Sequence, residues 1–319
     1  MTGHNAQEIE PWTEYWRTGA SVSCVASPKM ESYLTCIWNK FVDGLADGSR
    51  ILDLATGNGI VAHYCKSRAR DRKICLQVDA VDAADINPKN CVTNSGPLYR
   101  QVSFFSRIQI ENLPFADDCF SGVASQFGFE YADEGQAVSE ISRVLTAGGE
   151  LRLVIHAQDG AISRDIGRRV ERLHSVLAEN GPVSLVLELA QAAESGDTGT
   201  LNRKSKYIPK AIELTRTLAE NPLPDDSALF YSTEFLNLWA QRSRYRPADL
   251  RRAVEQGWLN ANGTAVRQSQ MLRAARSEQD MGRISRRFEE VGLTVDSVNP
   301  IHDYQRNIQN AWLLSGRKH

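Results

Sequence analysis

The chain has 319 residues, 42% of them hydrophobic and 24% charged, with a formal net charge of −2 at pH 7. That balance belongs to an ordinary globular protein and excludes disordered and fibrous classes, and the length allows one elaborated α/β domain or two modest ones. Near-neutral charge offers no bulk attraction to phosphate backbones or anionic lipid, so nucleic acid is not an expected partner, and no apolar run reaches membrane-spanning length.

Cys24, Cys36, Cys65, Cys75, Cys91 and Cys119 show neither CxxC nor Cys/His spacing. They predict no metal site and no disulfide framework, only reduced and mostly buried thiols. The opening MTGHNAQEIEPW carries two acids and no apolar signal core, which predicts an unexported, cytoplasmic protein.

Taken in chain order, residues 1–48 read as an aromatic and helical leader, with Met30, Leu34, Ile37, Trp38 and Phe41 at helical spacing. Arg50–Ala55 is a short apolar strand that stops at TGNG and is followed by a helix beginning IVAHYCKSRA. Val78–Ala84 predicts a second strand ending at Asp85, with Pro88 suited to a first helical turn. Val102–Phe105 and Gly122–Phe127 are the third and fourth strands. A helix with Ala137, Ile141 and Val144 on one face is expected to stop at Thr146–Gly149, before a fifth strand over Glu150–Ile155. From about 160 to 280 only helical spacing appears, broken at NGP and NPLPDD. The pattern then returns to a helix over Met281–Val291 and two strands, Leu293–Val298 and Ala311–Ser315, expected to pair antiparallel. Strands alternating with helices predict an α/β fold with a largely parallel sheet and a mostly helical insertion.

The stretch Asp53-Leu-Ala-Thr-Gly57-Asn-Gly59 carries the chemistry. Glycines at 57 and 59 permit a sharp turn and close ligand approach to main-chain N–H groups. Residues 57–62, GNGIVA, also satisfy the dinucleotide fingerprint, with Asp85 at roughly the spacing of a ribose-binding acid. A carboxylate at position 53 facing that turn would repel a pyrophosphate and attract an ammonium or sulfonium ligand. Read otherwise, Asp53 is a turn acid or helix cap. Asp79 and Asp82 share the residue type of Asp85 but are expected to precede the strand's end.

The motifs ILDLATGNG (51–59), DINP (85–88), ENLPFADDCF (111–120), SQFGFEY (125–131) and EISRVLTAGGELRLV (140–154) together resemble the class I S-adenosylmethionine-dependent methyltransferases, most closely the ubiquinone/menaquinone C-methyltransferase branch. The resemblance covers residues 50–156 well and 281–319 loosely. It implies a Rossmann-like seven-strand sheet with S-adenosyl-L-methionine as cofactor. Its methionine end would lie against Asp53, Ala55, Thr56, Gly57 and Gly59, its ribose on Asp85, and its adenine by Ile86, Gln109, Ile110 and Glu111, with Gln126 also bordering the site. Gln109 stands where family members usually carry Asp, and Ser121 where they carry a structural acid.

This reading divides the chain into a leader (1–48), a cofactor-binding core (49–157 and 281–319) and a helical cap (158–280). His156, immediately after the fifth strand, is the candidate general base; Glu130 and Tyr131 are alternatives for orienting an acceptor. The expected partner is a small molecule, phenolic or quinone-like by analogy with the branch resembled. Arg242, Arg244, Arg246, Arg251 and Arg252 read as a solvated helix face or as a dock for an acidic carrier protein or anionic substrate. Phe230, Tyr231, Phe235 and Trp239 read as core or as acceptor pocket, and apolar insertion helices could pair two copies into a homodimer. The rival functions are a nicotinamide-dependent oxidoreductase and a non-catalytic protein that binds S-adenosylmethionine.

Overall fold

The computed structural model describes residues 6–20, 28–92, 96–303 and 308–319. Contacts divide the chain into two compact units, Met1–Arg164 with Gln270–His319, and Asp165–Ser269, against the 158–280 insertion drawn from sequence.

The first unit holds a seven-stranded sheet: β1 (Arg50–Leu54), β2 (Gln77–Asp82), β3 (Val102–Ser106), β4 (Phe120–Gln126), β5 (Leu145–His156), β6 (Leu293–Asp303) and β7 (Ile308–Lys318). Their order is β3-β2-β1-β4-β5-β7-β6. The first five run parallel, and β7 enters antiparallel between β5 and β6. The strand order switches direction at β1, which has β2 on one side and β4 on the other, so ligands are expected at the carboxyl ends of β1 and its neighbours.

Strand alternation explains the layers. Leu52 and Leu54 of β1 join one buried cluster with Val138 and Ile141 of the helix Glu134–Val144 and with Ile284 and Phe288 of the helix Glu278–Glu290. On the other parity, Ile51 packs near Gly122, where an added Cβ would lie 2.7 Å from Phe41. Phe41 belongs to the helix Pro28–Asp43, whose Met30, Leu34, Ile37, Trp38 and Phe41 are all buried, as their spacing predicts. We label the helices used below α1 (Ala6–Arg17), α2 (Pro28–Asp43) and α3 (Ile60–Arg72).

Two strand ends depart from the sequence reading. β2 stops at Asp82, because the chain leaving β3 takes over its pairing: Ile108 N–H donates to the Asp82 carbonyl and Arg107 N–H to that of Ala84. The TAGG segment is no helix stop but part of β5, where Phe120 pairs with Leu145 and the register then shifts to Gly122 with Glu150. Residues 146–149 take up that irregularity, with Gly148 at φ +74°.

The second unit is helical. Leu173, Val176, Leu185, Leu189, Phe235, Trp239 and Val254 form its core, so Phe235 and Trp239 are packing residues, while Phe230 is 60% exposed. Asp197 and Asp226 cap helices by accepting from Thr200 and Leu229 N–H. In the basic segment Arg246 pairs with Asp249 and Arg251 with Glu194 and Glu255, while Arg242 lies over the Trp239 ring. Among the described residues no helix is long and apolar enough to cross a membrane, and no His/Cys/Asp/Glu group could hold a metal ion. Cys36 and Cys75 are exposed, contrary to the expectation of mostly buried thiols; Cys24 lies outside the described residues.

Candidate functional site

A cavity of about 300 Å³ opens at the carboxyl ends of β1, β2 and β4. Each strand hands over to it through a constrained turn. Ala55 follows β1 at φ +49° and Phe127 follows β4 at φ +57°, both in the left-handed region that costs a residue with a Cβ roughly 1 kcal/mol or more. Both line the cavity, with Asp82, Ala83 and Ala84 from the end of β2 and Ile108–Glu111 from the loop after β3. Gly128 is needed where β1 and β4 converge, since a Cβ there would stand 2.3 Å from that of Ala55.

The opposite wall comes from the chain's distant ends. Trp12 and Trp16 of α1 stack at 6.1 Å, and Trp12 meets Tyr131 edge-on at 5.6 Å. Gln270 ties α1 down: its Oε1 accepts from Trp12 Nε1 at 2.8 Å and its Nε2 donates to the Glu8 carbonyl at 2.9 Å. Gln270, Arg273 and Arg276 all border the cavity, as do Glu8, Glu111 and Glu130. Gln270, Arg273 and Arg276 fall in the 158–280 cap of the sequence reading, where nothing local signals a meeting with α1.

Of the residues predicted for cofactor binding, Ala55, Gln109, Ile110 and Glu111 line this cavity. Asp53 does not. Alternation turns it toward α3, where its Oδ2 accepts from Thr56 Oγ1 at 2.5 Å and from Ala62 N–H at 3.2 Å. Ala62 is the third residue of α3, so Oδ2 satisfies an open N–H of that helix's first turn, while Oδ1 is buried with no hydrogen-bond partner among the described residues. Thr56 is thereby consumed. Gly57 N–H donates to Asp82 Oδ2 at 2.7 Å, and a Cβ on Gly57 would meet Trp16 at 2.4 Å. Gly59 turns the chain into α3 at φ +83° against Phe104. Gln126 accepts from Trp38 Nε1 at 2.7 Å, and Ile86 is buried with Trp16 and Ala84.

Asp85 lies in a separate polar cleft, paired with Arg107 at 2.9 Å and Arg17 at 3.4 Å. The hydrogen bond from Arg107 holds its carboxyl below the usual range. The acid that the strand delivers to the cavity is Asp82, three residues earlier, and the repeat VDAVDAAD conceals which of its acids ends the strand.

Burial pushes the Asp53 carboxyl up to about 7 and that of Asp82 up to about 6. An acid whose folded pKa is raised contributes stability that is complete below its unfolded value and is lost as pH rises through the folded value. Unliganded protein is therefore expected to lose on the order of 1–3 kcal/mol between pH 5 and 8. Chemical denaturation across that range measures the loss, and Asp53→Asn should flatten it.

His156, the candidate base, is fully buried and does not border the cavity. Its ring stacks on Phe127 at 4.2 Å, and its Nδ1 lies 2.7 Å from Glu130 Oε1. Glu130 does border it, so the structure puts a carboxylate between the imidazole and the space a ligand would fill.

A family model described as a methyltransferase domain matches residues 52–153. The chain is 35% identical over 116 residues to the ubiquinone/menaquinone biosynthesis C-methyltransferase UbiE of Xanthomonas oryzae pv. oryzae, covering 34% of this chain and 42% of that protein. It is 35% identical over 107 residues to the demethylmenaquinone methyltransferase of Deinococcus radiodurans, covering 33% and 42%. The matched part thus spans less than half the length of either relative. Among solved structures, the geranyl diphosphate C-methyltransferase of Streptomyces coelicolor A3(2) aligns over 99% of this chain and 100% of its own, with 9% identity and a TM-score of 0.49. Over residues 52–153 the chain carries a methyltransferase domain of the class I S-adenosylmethionine-dependent family.

Proposed function

We propose that this protein transfers a methyl group from S-adenosylmethionine to a small hydroxylated aromatic or quinone-like acceptor. The observation that carries the cofactor half is the buried Asp82 carboxylate, delivered by β2 to a cavity it shares with Ala55 and with Gln109–Glu111. Each Asp82 oxygen accepts one backbone N–H, from Gly57 or Ala84, and an ionised carboxylate retains lone pairs for the two ribose hydroxyls. Gln109 and Glu111 offer acceptors and a backbone edge for adenine, and Ile108 and Ile110 supply apolar walls. Bound there, the cofactor supplies an electrophilic methyl group on a sulfonium centre.

The aromatic acceptor is supported by the remaining wall, where Trp12, Trp16, Phe127 and Tyr131 line the same space. Relatives named for ubiquinone and menaquinone methylation point the same way.

A nicotinamide dinucleotide fits poorly. Its pyrophosphate needs free N–H groups on the glycine turn, yet Thr56, Gly57 and Gly59 N–H are given to Val81 O, Asp82 Oδ2 and Thr56 O. Calorimetric titration with S-adenosylhomocysteine and with NADH tests the choice. Micromolar uptake of the former and none of the latter is expected, and the reverse would end this reading.

A further inference from the structure

Glu130 sits on the 3₁₀ turn Phe129–Tyr131, just beyond the carboxyl end of β4, and is only 2% exposed while bordering the cavity. Its two oxygens differ. Oε1 accepts from the His156 backbone N–H at 3.0 Å and lies 2.7 Å from the same residue's Nδ1. Oε2 is buried and finds no hydrogen-bond partner among the described residues. Buried polar atoms are nearly always satisfied, and leaving one open costs roughly 1–3 kcal/mol. The nearby guanidinium makes no hydrogen bond to it: Arg276 Nη2 donates to the backbone carbonyl of Glu130 and Nη1 to that of Ala274, and its Nε has no partner among the described residues. Asp82 and Glu111, the other acids bordering this cavity with Glu8, are engaged elsewhere, with Gly57 and Ala84 N–H and with Asp133 N–H. The Oε2 of Glu130 thus has no donor among the described residues.

From this geometry we infer that Glu130 is the base that accepts the proton of the methyl acceptor, a phenolic hydroxyl, with His156 holding Oε1 so that Oε2 remains for the substrate. The inference rests on the methyl-transfer reading above. In the step, a lone pair of the acceptor oxygen forms the new O–C bond, the methyl–sulfur bond breaks with its electron pair retained by sulfur, and the hydroxyl proton passes to Glu130 Oε2. A cation and a buried carboxylate are thereby converted into a neutral thioether and a neutral carboxyl, a cancellation of charge that a water-poor cavity favours.

The test uses phenol, catechol and naphthohydroquinone as acceptor probes with S-adenosylmethionine, and calorimetric affinity for S-adenosylhomocysteine as a readout independent of turnover. Glu130→Gln should keep that affinity within about threefold while transfer at pH 7 falls about 10²–10⁴-fold, the usual span of a general base. The rate should recover as pH rises through the probe's own pKa, because the acceptor then arrives without its proton. Glu130→Asp answers the same question if the glutamine variant does not fold: it keeps a carboxylate but withdraws it, so transfer should fall at least tenfold with cofactor affinity unchanged. Transfer that is unaffected, or reduced equally at every pH, overturns the inference. So does a parallel loss of S-adenosylhomocysteine affinity, or a wild-type protein that binds S-adenosylhomocysteine and methylates none of the probes. A wild-type protein that does not bind S-adenosylhomocysteine fails at the earlier step and removes the cofactor reading itself.

Discussion

Asp82→Asn is expected to weaken S-adenosylhomocysteine binding by about 10–100-fold, the range set by losing one or two hydrogen bonds to an ionised group. The substitution conserves size but converts one acceptor into a donor. Since the two oxygens of Asp82 receive Gly57 N–H at 2.7 Å and Ala84 N–H at 2.8 Å, one backbone donor would then face an amide donor. The ribose hydroxyls would lose a carboxylate partner and the glycine turn one of its anchors. Asp85→Asn is the matched control: that carboxylate sits in the outer cleft with Arg17 and Arg107, and its loss should leave affinity within about threefold, as for other exposed ion pairs. Thermal denaturation of the unliganded variants separates loss of binding from loss of fold. Equal losses at both positions, or a larger one at Asp85, would return the ribose to the acid that the sequence motif suggests.

Gly128→Ala should be the most damaging single methyl addition at the site. The new Cβ would stand 2.3 Å from the Cβ of Ala55, an atom fixed to backbone already held at φ +49°. Neither side can yield by rotating a side chain, so the carboxyl ends of β1 and β4 must separate. Overpacking of this kind costs about 1–3 kcal/mol, and both displaced residues line the cavity. A fall in denaturation midpoint together with loss of S-adenosylhomocysteine binding is expected. Gly148→Ala provides the comparison, because its Cβ would meet nothing within 4 Å although φ is +74°; it should show the cost of backbone strain without loss of ligand binding.

The sheet was legible because β1, β2, β4 and β5 are short apolar runs bounded by turn residues, a pattern that buried parallel strands leave in any sequence. The placement of Asp82 was not. Three acids at spacing three cannot reveal where pairing stops, and β2 ends at Asp82, where the exit loop of β3 bonds through Ile108 N–H to the Asp82 carbonyl and through Arg107 N–H to that of Ala84. The orientation of Asp53 was hidden for a related reason. Its position beside the glycine turn suggested a ligand, whereas strand parity directs it into the first turn of α3. The wall formed by Trp12 and Gln270 joins residues 258 apart in sequence, beyond the reach of any local pattern. Loop residues Gln109–Glu111 travel with a motif and line the cavity, and the Glu130–His156 pair was read as two separate candidates whose order of approach to the cavity only the fold discloses.

The most direct test of the central claim is a crystal structure of the protein with S-adenosylhomocysteine. Both ribose hydroxyls within hydrogen-bond distance of the Asp82 carboxylate, with adenine beside Gln109–Glu111 and the sulfur facing the space bordered by Glu130, is the predicted result. Nucleoside density seated on Asp85 in the outer cleft, or a cavity that stays empty at saturating ligand, would contradict it.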